Sequence, residues 1–395
     1  MKDGLRALAD RYFEEMRAVR RCIHRHPELS YAEYDTTKRI CETLEKYGIA
    51  IEKIPSATGV SALITGKDPT KTIVLREDID ALPITEETGL PFSSETPGVM
   101  HACGHDMHTA TLLLAGVMLS QMPEQPPCSV RLLFQYGEEA FGAKRMIAES
   151  FETLEPKGSV IVGLHCDPRY PVGKAALTKG PAEASSDKLR LTVQGQGGHG
   201  AYPHKVVDPV VCAAYLIAEL QTLVSRETTP FEPVVLTFGS IHGGTAANIV
   251  PDTVVIEGTL RTLNDEVRAQ LWEAIRRVCA HGGEALRCGV EVEIEEGVPV
   301  VYNDERVVDV LEKTMDAVIG GDNLVWREPS PGSDDFSCFL KDMPGAQFFL
   351  GTANENPQSL LGLHTSKIVF DEEAIRIGAL LLAQFVYDWA DAQKG

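Results

Sequence analysis

Several things are scarce or missing in this chain, and each absence excludes a class. No stretch approaches the ~18 consecutive apolar residues of a membrane span. The opening run MKDGLRALADRYFEEMRAVRR is charged and amphipathic, without the apolar centre of a secretory signal, so a cytoplasmic protein is expected. Basic residues are outnumbered, 37 Lys and Arg against 57 Asp and Glu, a formal net charge of -20. That charge argues against nucleic acid and anionic membrane surfaces as partners. It leaves room for an anionic substrate, because one Arg can reverse the field inside a pocket. The nine cysteines are odd in number and scattered, with no disulfide framework, so buried free thiols in a reducing compartment are expected. There are no internal repeats and no low-complexity tracts.

What is present is ordinary globular composition: 395 residues, 44% hydrophobic and 24% charged, enough for two domains. Residues 4–48 read as helical with a break at His26-Pro27. TIVLRED (72–78), SVRLLFQY (129–136) and GSVIVGLHCD (158–167) are apolar and β-branched and read as buried strands. HTATLLLAGVMLS (108–120) and GAKRMIAES (142–150) read as helices between them. This alternation implies a largely parallel sheet covered on both faces. The middle of the chain differs. A strand at KLRLTVQGQ, a long helix at 208–227, strands at PVVLTFGSIHGG and DTVVIEGTLRT, a helix at 264–286 and a strand at 290–298 follow one another. That order, β-α-β-β-α-β, is the ferredoxin-like split unit. It reads as an insertion, 184–298, into a discontinuous α/β domain made of 1–183 and 299–395.

The chemistry is concentrated in a few places. His101-Ala-Cys103-Gly-His105-Asp106-Met107-His108 sets metal-competent side chains in apolar surroundings, on a Gly-containing loop that opens a helix. Glu138-Glu139 follows an apolar strand, where a solvated surface pair is less expected. His165 ends VIVGLH, His364 lies in GLHTS, and Asp78 and Asp80 follow TIVLRE. Cys, His and carboxylate together are the usual ligands of zinc and its divalent neighbours. A second carboxylate beside a ligand carboxylate suggests a general base acting on water. Singly, each match is weak, and a lone His165 or His364 is more often a core or surface residue. Clustering at strand ends, where open α/β sheets build their sites, is the stronger signal. The Cys103 thiol is expected to be drawn toward thiolate by the helix N-terminus and by metal. His101 and His108 flank the motif and read more readily as supporting residues than as ligands.

The stretches LREDIDALPITEETGLPFSS, HACGHDMHTATLLLAG, FQYGEEAFGAKRMI, GGHGAYPHKVVDPV, NIVPDTVVIEGTLRT, SDDFSCFL and LHTSKIVFDEEAIRIG resemble the aminoacylase-type amidohydrolase branch of the zinc exopeptidase family. That branch includes hippurate hydrolases, auxin-conjugate hydrolases and N-acetyldiaminopimelate deacetylases. The resemblance runs from about residue 20 to about 385. It implies an exopeptidase-like catalytic domain with an inserted lid and dimerisation domain, and a centre of two divalent metals per subunit (zinc, manganese, cobalt or nickel). On that resemblance Cys103, His105, Glu139, His165 and His364 are the ligands, with the Cys103 thiolate bridging. Glu138 is the general base and Asp80 a carboxylate that orients the site. Asp78 stands where more distant exopeptidases carry a ligand His. His199, in GGHGAYPH, would reach a partner subunit's site and stabilise the oxyanion. Asn248 would lie near that oxygen or near the substrate carboxylate. Arg261 would bind the carboxylate bidentately, and Gly332 would line the pocket. The linkers near 183 and 298 would hinge as the lid closes.

Two departures stand out. FQYGEE replaces the commoner FQPAEE, and SDDF replaces SEDF at Asp334; both bear on the acyl pocket and neither removes a ligand or the base. The implied reaction is hydrolysis of an N-acyl amino acid, in a homodimer or higher homo-oligomer. The alternatives are a metallo-dipeptidase or carboxypeptidase with the same centre, or a metal-stabilised binding protein that has lost catalysis. The last would be expected to lack Glu138 or a ligand, and none is missing.

Overall fold

The computed structural model of the chain describes residues 2–151, 154, 155 and 157–394. In chain order its elements are α1 (Lys2–Arg25), α2 (Tyr34–Lys46), β1 (Ala50–Glu52), β2 (Val60–Ile64), β3 (Asp68–Asp78), α3 (His105–Gln121), β4 (Cys128–Gln135), α4 (Ala143–Glu149), β5 (Val160–Pro171) and β6 (Ala175–Leu177). Next come β7 (Gly180–Glu183), β8 (Ser186–Gln194), β9 (Gly198–His199), α5 (Pro209–Thr222), β10 (Val234–His242), β11 (Ile249–Val250), β12 (Thr253–Thr262), α6 (Asp265–Ala285) and β13 (Gly289–Val298). The chain closes with β14 (Val301–Asn303), α7 (Glu305–Ile319), β15 (Leu324–Trp326), β16 (Gly345–Ala353) and α8 (Glu373–Ala392).

The chain divides into two compact units. The first comprises residues 1–180, 302–328 and 335–395, the second 181–301 and 329–334. The short return of 329–334 to the second unit was not visible in the sequence. It is held there by backbone bonds: Ser330 N–H donates to Ala182 O, and Ala184 N–H to Ser330 O and Gly332 O.

The first unit is built on an eight-stranded sheet in the order β1-β2-β4-β3-β5-β16-β6-β15. Its middle, β4-β3-β5-β16, is parallel, while β1, β2 and β6 pair antiparallel with their inner neighbours. The mixed, mostly parallel sheet agrees with the alternation read from the sequence. Its central strands are buried along both faces, which is why they read as continuous apolar runs. α3 is buried nearly all round, so its sequence carries almost no amphipathic signal. It packs on β3 and β5 and against α1 and α8, and these helices share one apolar core with the sheet.

The second unit has the predicted β-α-β-β-α-β order, β8-α5-β10-β12-α6-β13. Its four strands are antiparallel in the order β10-β12-β8-β13. α5 and α6 cover one face and enclose a separate core around Leu191, Leu216, Ile256 and Ile275. Both helices start where the chain supplies a cap. Asp208 accepts the N–H groups of Val210 and Val211, with Pro209 at the first position, and Asn264 accepts those of Glu266 and Val267. The long helix expected over 208–227 ends in a π turn at Leu223–Glu227.

Candidate metal centre and active site

The metal-competent residues of the first unit converge beyond the carboxyl ends of its central strands. β3 ends at Asp78, and Asp80 follows. β4 leads through Gly137 into a single 3₁₀ turn, Glu138–Ala140. β5 runs on to Pro171, so His165 lies inside the strand rather than at its end. Its pairing with β3 nevertheless stops at Gly163, and His165 lies just past that point. Gly104, at φ 92°, turns Cys103 into the start of α3, in a left-handed conformation that glycine adopts without a Cβ penalty. His364 also has positive φ, 63°, unusual for its residue type, and its N–H is tied to Ala102 O.

Cys103 Sγ lies 3.5 Å from His165 Nε2 and 3.3 Å from His364 Nε2. His364 Nε2 is 3.2 Å from Glu139 Oε1. His105 Nε2 stands 3.9 Å from Glu138 Oε2 and 4.0 Å from Glu139 Oε1. Three overlapping triads result: Cys103–His105–His165, Cys103–Glu139–His364 and His105–Glu138–Glu139, each with its ligand atoms within 4.8 Å of one another. Cys103, His105 and Glu139 belong to two triads each, so the three triads share donors.

Asp80 holds this arrangement together. One oxygen accepts the Glu138 N–H at 3.1 Å and faces His105 Nδ1 at 3.2 Å. The other accepts the Glu139 N–H at 3.1 Å and the Ser30 hydroxyl at 2.6 Å. A single carboxylate therefore aims one ligand ring and both acidic residues of the turn. His165 Nδ1 lies 2.8 Å from Cys166 O, so it donates there and leaves Nε2 as an acceptor facing Cys103.

His108 is not a ligand. Its Nδ1 lies 2.6 Å from Asp78 Oδ1, and its Nε2 accepts the Cys166 N–H at 2.9 Å, so both nitrogens are used. Burial foremost lowers it to about 4, and the ring stays neutral. His101 is fully buried and joins no metal-competent group among the described residues.

The electrostatics favour a cation. Burial works to lower His105, but the Asp78, Asp80 and Glu139 carboxylates outweigh it and push the imidazole up to about 10. His105 Nε2 and Glu139 Oε1 are buried without a hydrogen-bond partner. A site that holds a buried histidine charged and leaves ligand atoms unpaired demands positive charge, and the Cys, His and carboxylate donors suit a divalent metal. The Cys103 thiol shows what the start of α3 does without metal. Burial, then the Glu139, Glu138 and Asp78 charges, push its thiol well above the usual range, so the start of α3 does not favour the thiolate enough to form it. Only a bound cation would reverse this.

The second unit holds the remaining residues in two places. β9 pairs with β11, setting His199 opposite Ile249, and Gly200 N–H donates to Asn248 O at 2.8 Å. His199 and Asn248 are thus neighbours, and both are exposed. Ala201 N–H donates to His199 Nδ1 at 3.1 Å, which leaves Nε2 to carry the proton outward. Arg261, at the far end of β12, donates to Pro331 O at 2.9 Å and Ser333 Oγ at 3.3 Å, on either side of Gly332. The eight residue steps from Thr253 to Arg261 span roughly 26 Å of strand. Asn248 therefore neighbours His199 and not Arg261.

Sequence reasoning missed the residues behind the site. Arg76, fully buried, donates to Gln135 Oε1 at 2.8 Å, Asp78 Oδ2 at 3.1 Å and Asp335 Oδ1 at 3.0 Å. Ser30, Tyr31 and Glu33, in the loop before α2, touch Asp80 and the Glu138 turn. The available signal was charge at the end of an apolar strand, Arg76-Glu77-Asp78, which marks buried ion pairing.

Residues 74–388 match the family described as Peptidase family M20/M25/M40. The chain is 38% identical to the N-acetyl-L-cysteine deacetylase of Bacillus subtilis over 382 residues, covering 95% of this chain and 88% of that one. It is 37% identical to the thermostable carboxypeptidase 1 of Saccharolobus solfataricus over 387 residues, covering 96% and 95%. Its fold is similar to that of the Bacillus subtilis YXEP protein, described as a dinuclear metal binding peptidase from the M20 family. The TM-score is 0.85 at 32% identity, covering 97% of this chain and 99% of that one.

Proposed function

The chain belongs to peptidase family M20/M25/M40, and from that premise we propose that it hydrolyses the amide bond of N-acyl amino acids, releasing a carboxylic acid and a free amino acid. The observation that carries this reading is Glu138: a buried carboxylate beside the ligand-competent cluster, on a turn whose two acidic N–H groups are both held by Asp80.

Cys103, His105, Glu139, His165 and His364 would hold two divalent cations. When bound, the cations polarise the acyl carbonyl and make water a better acid. Glu138 takes the proton of the attacking water as the C–O bond forms. It then passes that proton to the leaving nitrogen as the C–N bond breaks. His199, its proton on Nε2, donates to the oxyanion with Asn248 beside it. Arg261 binds the substrate carboxylate. Because His199 and Arg261 lie at opposite ends of β12, one copy of the second unit does not bring both to one substrate, and we assign His199 to a partner subunit's site. The apolar outer face of α5, with Val211 and Tyr215 exposed, and the free edge of β10 support a homodimer. Nine free cysteines support a cytoplasmic location.

The names of the relatives divide between deacetylase and carboxypeptidase, so the decisive assay is comparative. Metal-reconstituted protein is given N-acetyl and N-benzoyl amino acids alongside unblocked dipeptides, and amine release is measured. Preference for blocked substrates is expected; preference for free-amine dipeptides would sink the reading.

A further inference from the structure

Glu33 occupies the N-cap of α2, where a side chain normally accepts the first free N–H groups of the helix. It makes no such bond. Glu28 does that work instead, its oxygens accepting from Asp35 N at 3.1 Å and Thr36 N at 2.8 Å. Glu33 turns inward and is fully buried. Its Oε1 accepts the Gly137 N–H at 2.8 Å, while Oε2 has no hydrogen-bond partner among the described residues.

The rest of this loop grips the same turn. Ser30 Oγ donates to Asp80, and the Tyr31 hydroxyl donates to Ala140 O at 3.2 Å. The Tyr31 ring comes within 3.1 Å of where a Cβ on Gly137 would sit, closer than an ordinary contact, so a side chain at 137 would press on the ring. Tyr31 itself has φ 66°, a conformation kept only where the surroundings enforce it. Burial foremost, with the Asp80 charge adding, pushes the Glu33 carboxyl up to about 7, against the amides of Glu33, Gly137 and Tyr31. A buried carboxyl is costly to keep, and a space-filling role would be met better by an apolar side chain.

We propose that Glu33 is the positioning residue of the base: its bond to the N–H of Gly137, which is left-handed at φ 64°, fixes that residue and so sets the direction in which Glu138 points. This rests on Glu138 being the base.

The test uses metal-reconstituted protein and the preferred N-acyl amino acid. Glu33→Ala is expected to lower kcat by ~10- to 100-fold, the scale for loss of an orienting group. KM and metal stoichiometry should stay near wild type, and the acid limb of the pH–kcat profile should move. Glu33→Gln, whose amide oxygen can still accept from Gly137, should recover part of kcat. Wild-type kcat and an unmoved pH profile in Glu33→Ala would overturn the proposal. So would loss of metal in step with activity, which would make Glu33 a support for the ligand Glu139 instead. Glu33→Gln no better than Glu33→Ala would reject the Gly137 bond as the lever. If Glu33→Ala does not fold, Glu33→Asp decides, since its shorter acid withdraws from Gly137: a comparable kcat loss supports the proposal and wild-type kcat rejects it. Glu138→Gln assayed in parallel separates the two failures. Turnover retained there removes the base assignment; turnover lost there but kept in Glu33→Ala removes only the role of Glu33.

Discussion

In the first unit Arg76, Asp78, Asp80, His105, Asp106 and Asp335 are all sealed from solvent, whereas in the second unit His199 and Asn248 stand exposed at the end of a sheet. The first unit carries charge through its interior in a connected series. Arg76 joins Asp335 to Asp78, Asp78 bonds His108, and His108 holds the Cys166 peptide that orients His165. A second series lies behind Asp106, with Arg20 2.6 Å and His24 2.8 Å from it. In the second unit the core between helices and sheet is apolar, and the fully buried Asp187 is answered by Arg268 and Trp272. Buried ion pairs add little to stability once desolvation is counted, so the first unit's investment in charge is better explained by holding ligand atoms in place. The second unit does the converse: a stable core presents polar groups outward, complete only when something else meets them.

The strongest challenge to this contrast is Glu138→Gln. Turnover should fall ~10²- to 10⁴-fold, the usual weight of a general base, while metal content holds. Retained turnover would remove the base from the first unit. Next, His199→Ala should lower kcat by ~10²- to 10³-fold without touching metal content. Mixed with Glu138→Gln and allowed to exchange subunits, it should recover roughly a quarter of wild-type activity, because half of the random pairs carry one intact composite site of two. No recovery would assign His199 to its own chain's site. A smaller effect is expected from Arg261→Lys, which keeps the charge but loses the fork: KM for N-acyl amino acids should rise by about tenfold, with kcat less changed. The smallest effect concerns stability alone. Burial works to raise Glu86, but the His24 ring, the Thr88 hydroxyl and the Ser94 amide outweigh it and hold its carboxyl at about 2, against an ordinary 4.5. A depressed carboxylate stabilises the fold above its unfolded value and loses that contribution as pH falls from about 4.5 to about 2. The urea midpoint of the wild type should therefore fall more steeply over that window than that of Glu86→Gln; parallel curves would reject the assignment.

Most of this was legible before any coordinates. The buried strands announced themselves by unbroken apolar runs, and the split unit by its alternation of strand and helix. The candidate cluster stood out because Cys103, His105 and the Glu138-Glu139 pair interrupt apolar sequence. Harder to read were His108, whose spacing is that of a ligand but whose two nitrogens are consumed by Asp78 and Cys166, and the state of the Cys103 thiol, where burial and then the surrounding carboxylates outweigh the start of α3. The return of residues 329–334 to the second unit was also hidden, since backbone bonds to Ala182 and Ala184 leave no trace in composition.

By itself the sequence determined which residues could do chemistry and which elements carry them, because side-chain type and periodicity are local properties. Only the tertiary structure decided which of them meet. It set Glu33 under Gly137, Asp80 between two N–H groups and a ring, and His199 a full strand's length from Arg261. Hydrogen bonds and charges act through space over a few ångströms, and the groups they join are far apart along the chain.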